Sequence, residues 1–518
     1  MRQYHLTLGL LASAALTACG GSGTPGPVVS VSTARGTLAA NPPNLVPIPQ
    51  ASGPAVPQLS PTAFAAMLEA GQPGITQVTG VPKCAISTYY MKYATVGGAG
   101  ETTSSTGAIM VPSGTDAACS GPRPVLIYAH GTTANKAFNM ANLRDNSEAS
   151  LVAAMYAAQG FIVVASNYAG YDVSPLPYHP FLNATQQAND VIDSLRAARQ
   201  AFPNISVQDS GKLFITGYSQ GGFVAMATQR EMQKNYASEF TVTAMAGQSG
   251  PYAMSLLADA IFAGAPNAGG TVFLPLITTS WQKSYANLYG SASEIYEDPY
   301  AATIETVLPG NYPSITDVFT AGVLPATHMF AANSGPVTPG FASFFGTGNL
   351  IKSSYRAAFL GDAVQNPCNS SAEPSLQVAC TPATQVRARA LQNDLRTYVP
   401  TVPVMMCGGS SDPTVFFKST TATAAFFVNH GYPMGYPVAA TAGLQVLDVD
   451  SAILGVSDPY AAAKVGFKTA KNAVISAAVT ANQDPVAAVA GVYHGSLVAP
   501  FCNAAARGFF LQVLASSH

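Results

Sequence analysis

Leu213-Phe214-Ile215-Thr216-Gly217-Tyr218-Ser219-Gln220-Gly221-Gly222 decides how the rest of this 518-residue chain is read. A short apolar run, a glycine-bounded G-x-S-x-G and the helix-forming Phe223-Val224-Ala225-Met226-Ala227 follow one another without a gap. That succession describes a buried strand turning sharply into a helix, with a serine hydroxyl lifted clear of the sheet at the turn. Gly217 and Gly221 flank Ser219 because a Cβ at either place would collide with the neighbouring strand or helix. In a chain with 46 glycines the pattern alone arises readily by chance, and its setting between strand and helix is what gives it meaning. Ser219 is the candidate catalytic nucleophile.

The flanking sequence supplies the sheet that such a turn needs. Residues 85–93 and 106–111 alternate apolar with polar side chains, as antiparallel strands do. Residues 125–129, 161–165, 213–215, 242–246, 402–406 and 444–449 are largely continuous apolar runs, suited to strands buried on both faces of a parallel sheet. Helical stretches lie between several of them, at 147–158, 184–202 and 221–235. The alternation predicts an α/β fold, a doubly wound and mostly parallel sheet built from residues 61–250 and 401–518. Residues 251–400 break the rhythm and are far too long for a connection. Rich in Pro, Gly, Tyr and Phe, they read as a cap subdomain inserted over the C-terminal edge of the sheet.

A serine hydroxyl is a poor nucleophile, so Ser219 needs a base, an acid to orient that base, and donors for the oxyanion. With this kind of turn the chain order runs nucleophile, acid, histidine. Asp412 follows the strand at 402–406 in the Gly-rich stretch Cys407-Gly408-Gly409-Ser410-Ser411-Asp412, where a carboxylate should emerge; Asp448 and Asp450 are the next candidates. Of seven histidines, His430 and His494 come late enough for the order. His430 reads as a helix C-cap. His494, in Val492-Tyr493-His494-Gly495-Ser496, reads as a loop residue ahead of a C-terminal helix starting near Pro500, and it is the expected base. Tyr128-Ala129-His130-Gly131-Thr132 follows the first central strand, and Gly131 allows close approach of its backbone. The N–H groups of Thr132 and Gln220 are the expected oxyanion hole, with His130 a structural hydrogen-bonding residue.

The chain opens with Met1-Arg2-Gln3-Tyr4-His5 and an apolar run from Leu6 to Ala18, too short to span a bilayer and suited to a signal-peptide core. Leu16-Thr17-Ala18-Cys19 resembles a lipobox, so residues 1–19 read as a lipoprotein-type signal with Cys19 the lipid-bearing residue. Residues 20–60, rich in Gly, Pro and Ser, read as a flexible tether. The expected location is the cell envelope, outer membrane foremost, or the medium. Six cysteines remain besides Cys19, an even number that suits an oxidising compartment. Locality suggests Cys368–Cys380 and leaves Cys84–Cys119 and Cys407–Cys502, although sequence does not fix the pairing. A Cys407–Cys502 bridge would tie the acid loop to the histidine. No C-x-x-C and no His cluster points to a metal. Only 9% of residues are charged and the net charge is −2 without a basic stripe, which excludes nucleic acid as a partner.

With Ser219, Asp412, His494 and His130-Gly131 in place, the chain from about Cys84 onward resembles an α/β-hydrolase. More narrowly it is similar to the secretory lipase and esterase group of the fungal lipase A type, with its large cap. The passage Gln159-Gly160-Phe161-Ile162-Val163-Val164-Ala165-Ser166-Asn167-Tyr168, then His179-Pro180-Phe181-Leu182, then Gly217 to Gly222 follow that group's order. Two departures stand out. Ser166-Asn167-Tyr168 occupies the place of an aspartate in many relatives, and 82 positions separate Asp412 from His494. Tyr218 ahead of Ser219 separates the chain from the tannase and feruloyl esterase type, which has a cysteine beside its nucleophile. The resemblance implies an exported serine carboxylic ester hydrolase acting on acyl or aromatic esters, polyesters included, through an acyl-enzyme and without cofactor. A serine peptidase on the same fold and a non-catalytic surface-binding lipoprotein are the alternatives.

Overall fold

Each of the eight strand-like runs lies in one nine-stranded sheet in a computed structural model of the chain. The structure describes residues 34–516 apart from 51–52, 371, 374–375, 436–442, 454 and 456. The strands are β1 (Asn44–Val46), β2 (Ala85–Val96), β3 (Thr102–Ser113), β4 (Arg123–Ala129), β5 (Ile162–Ser166), β6 (Asp209–Tyr218), β7 (Val242–Gln248), β8 (Val404–Gly408) and β9 (Leu444–Asp448). Their spatial order is β1-β2-β3-β5-β4-β6-β7-β8-β9. The first three pair antiparallel, and the strands from β5 to β9 are mutually parallel.

The continuous apolar runs divide by the two-residue period of a strand. Val125, Ile127 and Ala129 join the hydrophobic cluster on one face, and Leu126 and Tyr128 join the cluster on the other. Helices Ala184–Ala201 and Gln220–Asn235 cover the first face, while Ser147–Met155 and the C-terminal helix Ala499–Ser516 cover the second. The chain leaves β4 toward β5 and then crosses back to β6 on the other side of β4. Two connections therefore part between β4 and β6, and this switch point is where a doubly wound sheet opens a crevice at its C-terminal edge.

Among the described residues no strand lies between β7 and β8. The inserted residues are helices and turns, led by Met254–Phe262 and Gly270–Tyr285, and they pack with the sheet inside one unit, Ala34–His518. Trp281, the one tryptophan, is buried and donates to Leu182 O at 3.3 Å. The start and end of the insertion are tied by Asp394, which accepts from Ser255 N–H at 3.0 Å and from Arg396.

Two expectations need correction. The described residues within 34–60 are not tether: β1 pairs with β2, Arg35 meets Asp193 at 2.9 Å, and Ile48 and Leu59 are buried. Their apolar residues are isolated between prolines, so no period announced them. The signal segment, Cys19 and residues 20–33 lie outside the described residues. The stretch before Pro500 is no loop, since Pro485–Ser516 runs as one helix with a π-helical turn at Tyr493–Val498. By length and composition this helix could cross a membrane, but 67% of its most apolar window is buried inside the fold.

The glycines of the turn are fixed by contact. A Cβ on Gly221 would stand 1.9 Å from Ala129 O, and one on Gly217 would stand 2.3 Å from Gly221 O. Both obstacles are backbone and cannot swing away. Gly221→Ala should therefore cost at least about 3 kcal/mol and yield little folded protein, read by circular dichroism and thermal melting.

Candidate active site

Ser219 sits at the end of β6 with φ 59 and ψ −122, a backbone region that side-chain-bearing residues rarely adopt. Its N–H donates to Gln248 O on β7 at 2.9 Å, and its carbonyl accepts from Gly222 N–H at 2.9 Å. The chain thus turns within one residue from sheet to helix Gln220–Asn235, and the side chain projects from the sheet's C-terminal edge.

His494 and Asp412 meet it there. His494 Nδ1 lies 2.7 Å from Asp412 Oδ2, and His494 Nε2 lies 2.8 Å from Ser219 Oγ. A carboxylate accepts only, so Nδ1 carries the proton and Nε2 is left to accept from the serine hydroxyl. Asp412 is buried, and its second oxygen accepts from Thr414 N–H at 2.9 Å and Val415 N–H at 3.1 Å. His494 reaches this point from the π-helical turn, whose wide backbone re-aims a side chain that a regular α-turn would carry elsewhere. Pro500 offers no N–H to the turn ahead of it, which suits the break in the α-ladder.

The remaining candidates have other positions. Asp448 Oδ1 accepts from Ser410 N–H at 3.0 Å and so braces the loop that carries Asp412. Asp450 pairs with Lys471 and accepts from Tyr493 OH at 2.7 Å. His430 caps helix Lys418–Asn429 and donates to Phe426 O at 2.8 Å. The cysteines pair as locality suggested, Cys84–Cys119, Cys368–Cys380 and Cys407–Cys502. The last joins β8, just before the acid loop, to the helix just after His494. Among the described residues no cluster of His, Cys, Asp and Glu could hold a metal ion.

On the other side of Ser219 lies the loop after β4. Gly131 N–H is taken by Glu148 Oε1 at 2.9 Å. The N–H groups of Thr132 and Gln220 have no acceptor among the described residues, and both residues line the same cavity as Ser219. His130 is fully buried, within reach of Gly131 O at 2.7 Å and Asn167 O at 3.2 Å, and stacks on Tyr168 with ring centroids 4.1 Å apart. Burial pushes its pKa down to about 4, so it stays neutral at physiological pH. Asn167, where an aspartate was the family expectation, accepts from Met140 N–H at 2.7 Å and donates to Thr106 Oγ1 at 2.8 Å. The cavity runs from Ser219 between the inserted helices, walled by Leu257, Ile261, Phe273, Leu274, Ile277 and Trp281. None of its lining side chains is charged.

Residues 139–288 match the secretory lipase family model. The crystal structure of the esterase LipA from Xanthomonas oryzae, with a ligand bound, superimposes at TM-score 0.64. It is 28% identical, over 80% of this chain and 91% of its own. The chain is an α/β-hydrolase resembling the secretory lipases. A structure from Legionella pneumophila, 18% identical, shares the fold at TM-score 0.58 over 78% of this chain and 91% of its own. No curated protein sequence matches.

Sequence reading of this hydrolase missed Tyr218, the residue inside the G-x-S-x-G. Its hydroxyl donates to the backbone carbonyl of His494, and its ring lies 5.0 Å from the imidazole. Nothing in the motif signals this, because the contact spans 276 positions. Two measurements test the supports. Replacing Cys407 and Cys502 by serine reopens a span of 95 residues, worth about 4.7 kcal/mol in the chain-entropy picture, and should lower both Tm and turnover. His130 has a folded pKa below its unfolded one. Its contribution to stability is therefore present above about pH 6.5 and lost as pH falls toward about 4. His130→Phe should accordingly lose less Tm than the parent between pH 7 and pH 4.5, whatever its Tm at pH 7.

Proposed function

We propose that this protein is an exported serine carboxylic ester hydrolase that works through an acyl-enzyme. The observation that carries the reading is the relay from Asp412 through His494 to Ser219, with spacings of 2.7 and 2.8 Å, at the mouth of an uncharged apolar cavity. Ser219 Oγ attacks the ester carbonyl while His494 Nε2 takes its proton, and Asp412 holds the imidazole tautomer and offsets its charge. The N–H groups of Thr132 and Gln220 receive the oxyanion. His494 then returns the proton to the leaving alcohol. Water, deprotonated by the same histidine, releases the acid and restores Ser219.

The acyl group lies in the apolar cavity, and residues 251–400 act as the cap that walls it. A cavity without charged side chains favours an acyl chain over the charged side chains of a peptide, which supports esterase over peptidase. The Xanthomonas relative is an esterase, which supports an ester substrate. Three disulfides support export, and the lipobox-like Leu16-Thr17-Ala18-Cys19 supports a lipid anchor at Cys19 in the cell envelope.

The test is hydrolysis of p-nitrophenyl esters from acetate to palmitate, beside Ser219→Ala. The parent should turn them over, with KM falling about fourfold for each methylene that enters the cavity. Ser219→Ala should keep its Tm and lose about 10⁴-fold or more in kcat. Turnover near the parent level in that variant sinks the mechanism.

A further inference from the structure

The two expected oxyanion donors belong to different elements, Thr132 to the loop after β4 and Gln220 to the first turn of helix Gln220–Asn235. A hole built this way works only if both backbones are held still, because its donors must already point at the charge that develops. Each donor has a dedicated polar side chain beside it, and neither of these side chains touches the reacting atoms.

Beside Thr132 the holder is Glu148. It comes from the first turn of helix Ser147–Met155, half-buried, and one carboxylate oxygen accepts from two donors. Gly131 N–H reaches it at 2.9 Å and Tyr128 OH, from β4, also at 2.9 Å. The first contact takes the Gly131 N–H out of the site. It also fixes the His130–Gly131 peptide, and His130 Nδ1, 2.7 Å from Gly131 O, holds the next peptide, the one that carries the Thr132 N–H. The same loop is pinned one residue earlier, where Tyr168 OH donates to His130 O at 3.0 Å.

Beside Gln220 the holder is His179. Its Nδ1 lies 2.9 Å from Ala169 O, which only accepts, so Nδ1 carries the proton. Its Nε2 then accepts, and Gln220 Nε2 donates to it at 2.7 Å. The imidazole is buried between Tyr168 and Tyr171, and burial pushes its pKa down to about 3, which keeps the accepting nitrogen free of a proton. Ala169 is itself held, its N–H donating to the buried Asp190. A chain of hydrogen bonds thus runs from Asp190 through Ala169 and His179 to the side chain of the residue that follows the nucleophile.

We infer that Glu148 and His179 are positioning residues of the oxyanion hole, each anchoring one of its two backbone donors. The inference rests on the reading of Ser219 as nucleophile and of Thr132 and Gln220 as donors. Neither residue was placed in the site by chain order: His179 precedes the acid, and Glu148 belongs to no motif.

The experiment compares the full chain with Glu148→Ala, Glu148→Gln, His179→Phe, Gln220→Met and the pair His179→Phe with Gln220→Met. Kinetics use one p-nitrophenyl ester, and the affinity of an alkyl trifluoromethyl ketone is measured alongside. Ser219 adds to such a ketone and leaves an oxyanion in the hole. Glu148→Ala and His179→Phe should each lose about 10-fold in kcat, with KM within about threefold, and bind the ketone more weakly by the same factor. Glu148→Gln, which keeps an acceptor for Gly131, should recover most of the loss. Gln220→Met should lose no more than His179→Phe, and the pair should be no worse than His179→Phe alone, because the Gln220–His179 contact is absent from all three, while His179→Phe also removes the contacts to Ala169 O and Gln187. Turnover and ketone affinity at the parent level in the alanine and phenylalanine variants overturn the inference. So does a loss of kcat with ketone affinity unchanged. If His179→Phe fails to fold by thermal melting, Gln220→Met decides; if Glu148→Ala fails, Glu148→Met decides, since it keeps the volume and removes the carboxylate acceptor. Ser219→Ala in parallel separates the two levels: Ser219-dependent turnover in the parent with insensitive variants removes the positioning role alone, and turnover independent of Ser219 removes the underlying reading.

Discussion

The turn at Ser219 is the constraint on which the rest of the site depends. A serine at φ 59 and ψ −122 lies in a region that costs about 1–3 kcal/mol for a residue with a side chain, and the surroundings must over-determine it. They do so by backbone contact. β4 presses against Gly217 and Gly221 so closely that no Cβ fits, and Gln248 O on β7 captures the Ser219 N–H. Ser219 is therefore held by two neighbouring strands and the helix behind it, and its hydroxyl cannot retreat into the sheet.

Once that point is fixed, the other groups have to be brought to it from far along the chain. Asp412 arrives on a loop braced by Asp448 and by two backbone donors to its own carboxylate. The histidine arrives on a long helix, and such a helix would place its side chains on a fixed 3.6-residue spiral. The π-helical turn breaks that spiral at His494. The helix is anchored on the far side of the turn by Cys502, bridged to β8, and by Asn503, which receives Tyr156 OH at 2.9 Å and Gln248 Nε2 at 3.3 Å. Gln248 is also the residue whose carbonyl holds Ser219. One buried polar network thus sets Ser219 and the helix that carries His494 against the same strand end, which limits drift between them.

Much of the fold was legible because period and composition report burial directly. The runs at 125–129 and 213–215 are apolar throughout because both faces of their strands are covered, and the structure splits them between two cores. The 82-position gap between Asp412 and His494 is accounted for by β9 and the helices Ala461–Thr480 and Pro485–Val492, which extend the chain without moving the site. What escaped was local geometry set by distant partners. Residues 34–60 lack any period yet supply an edge strand, because an edge strand needs only backbone donors and a few buried side chains. Asn167 fills by hydrogen bonding the place where the family pattern leads one to expect an aspartate, and its neighbour Tyr168, at φ 63, reaches the loop after β4.

The sequence by itself determined the strand–turn–helix at Ser219, the candidates Ser219, Asp412 and His494 in that chain order, the parallel sheet and the long insertion. Each of these is written in neighbouring residues, as period, small-residue spacing or a break in composition. Tertiary structure alone decided which carboxylate faces His494, how a helix presents that histidine, and which backbone donors are left free at the serine. It also brought Tyr218 to His494, Glu148 to Gly131 and His179 to Gln220. Those outcomes depend on contacts between segments separated by tens to hundreds of positions, as between Tyr218 and His494 across 276, and no local pattern encodes a distance across the fold.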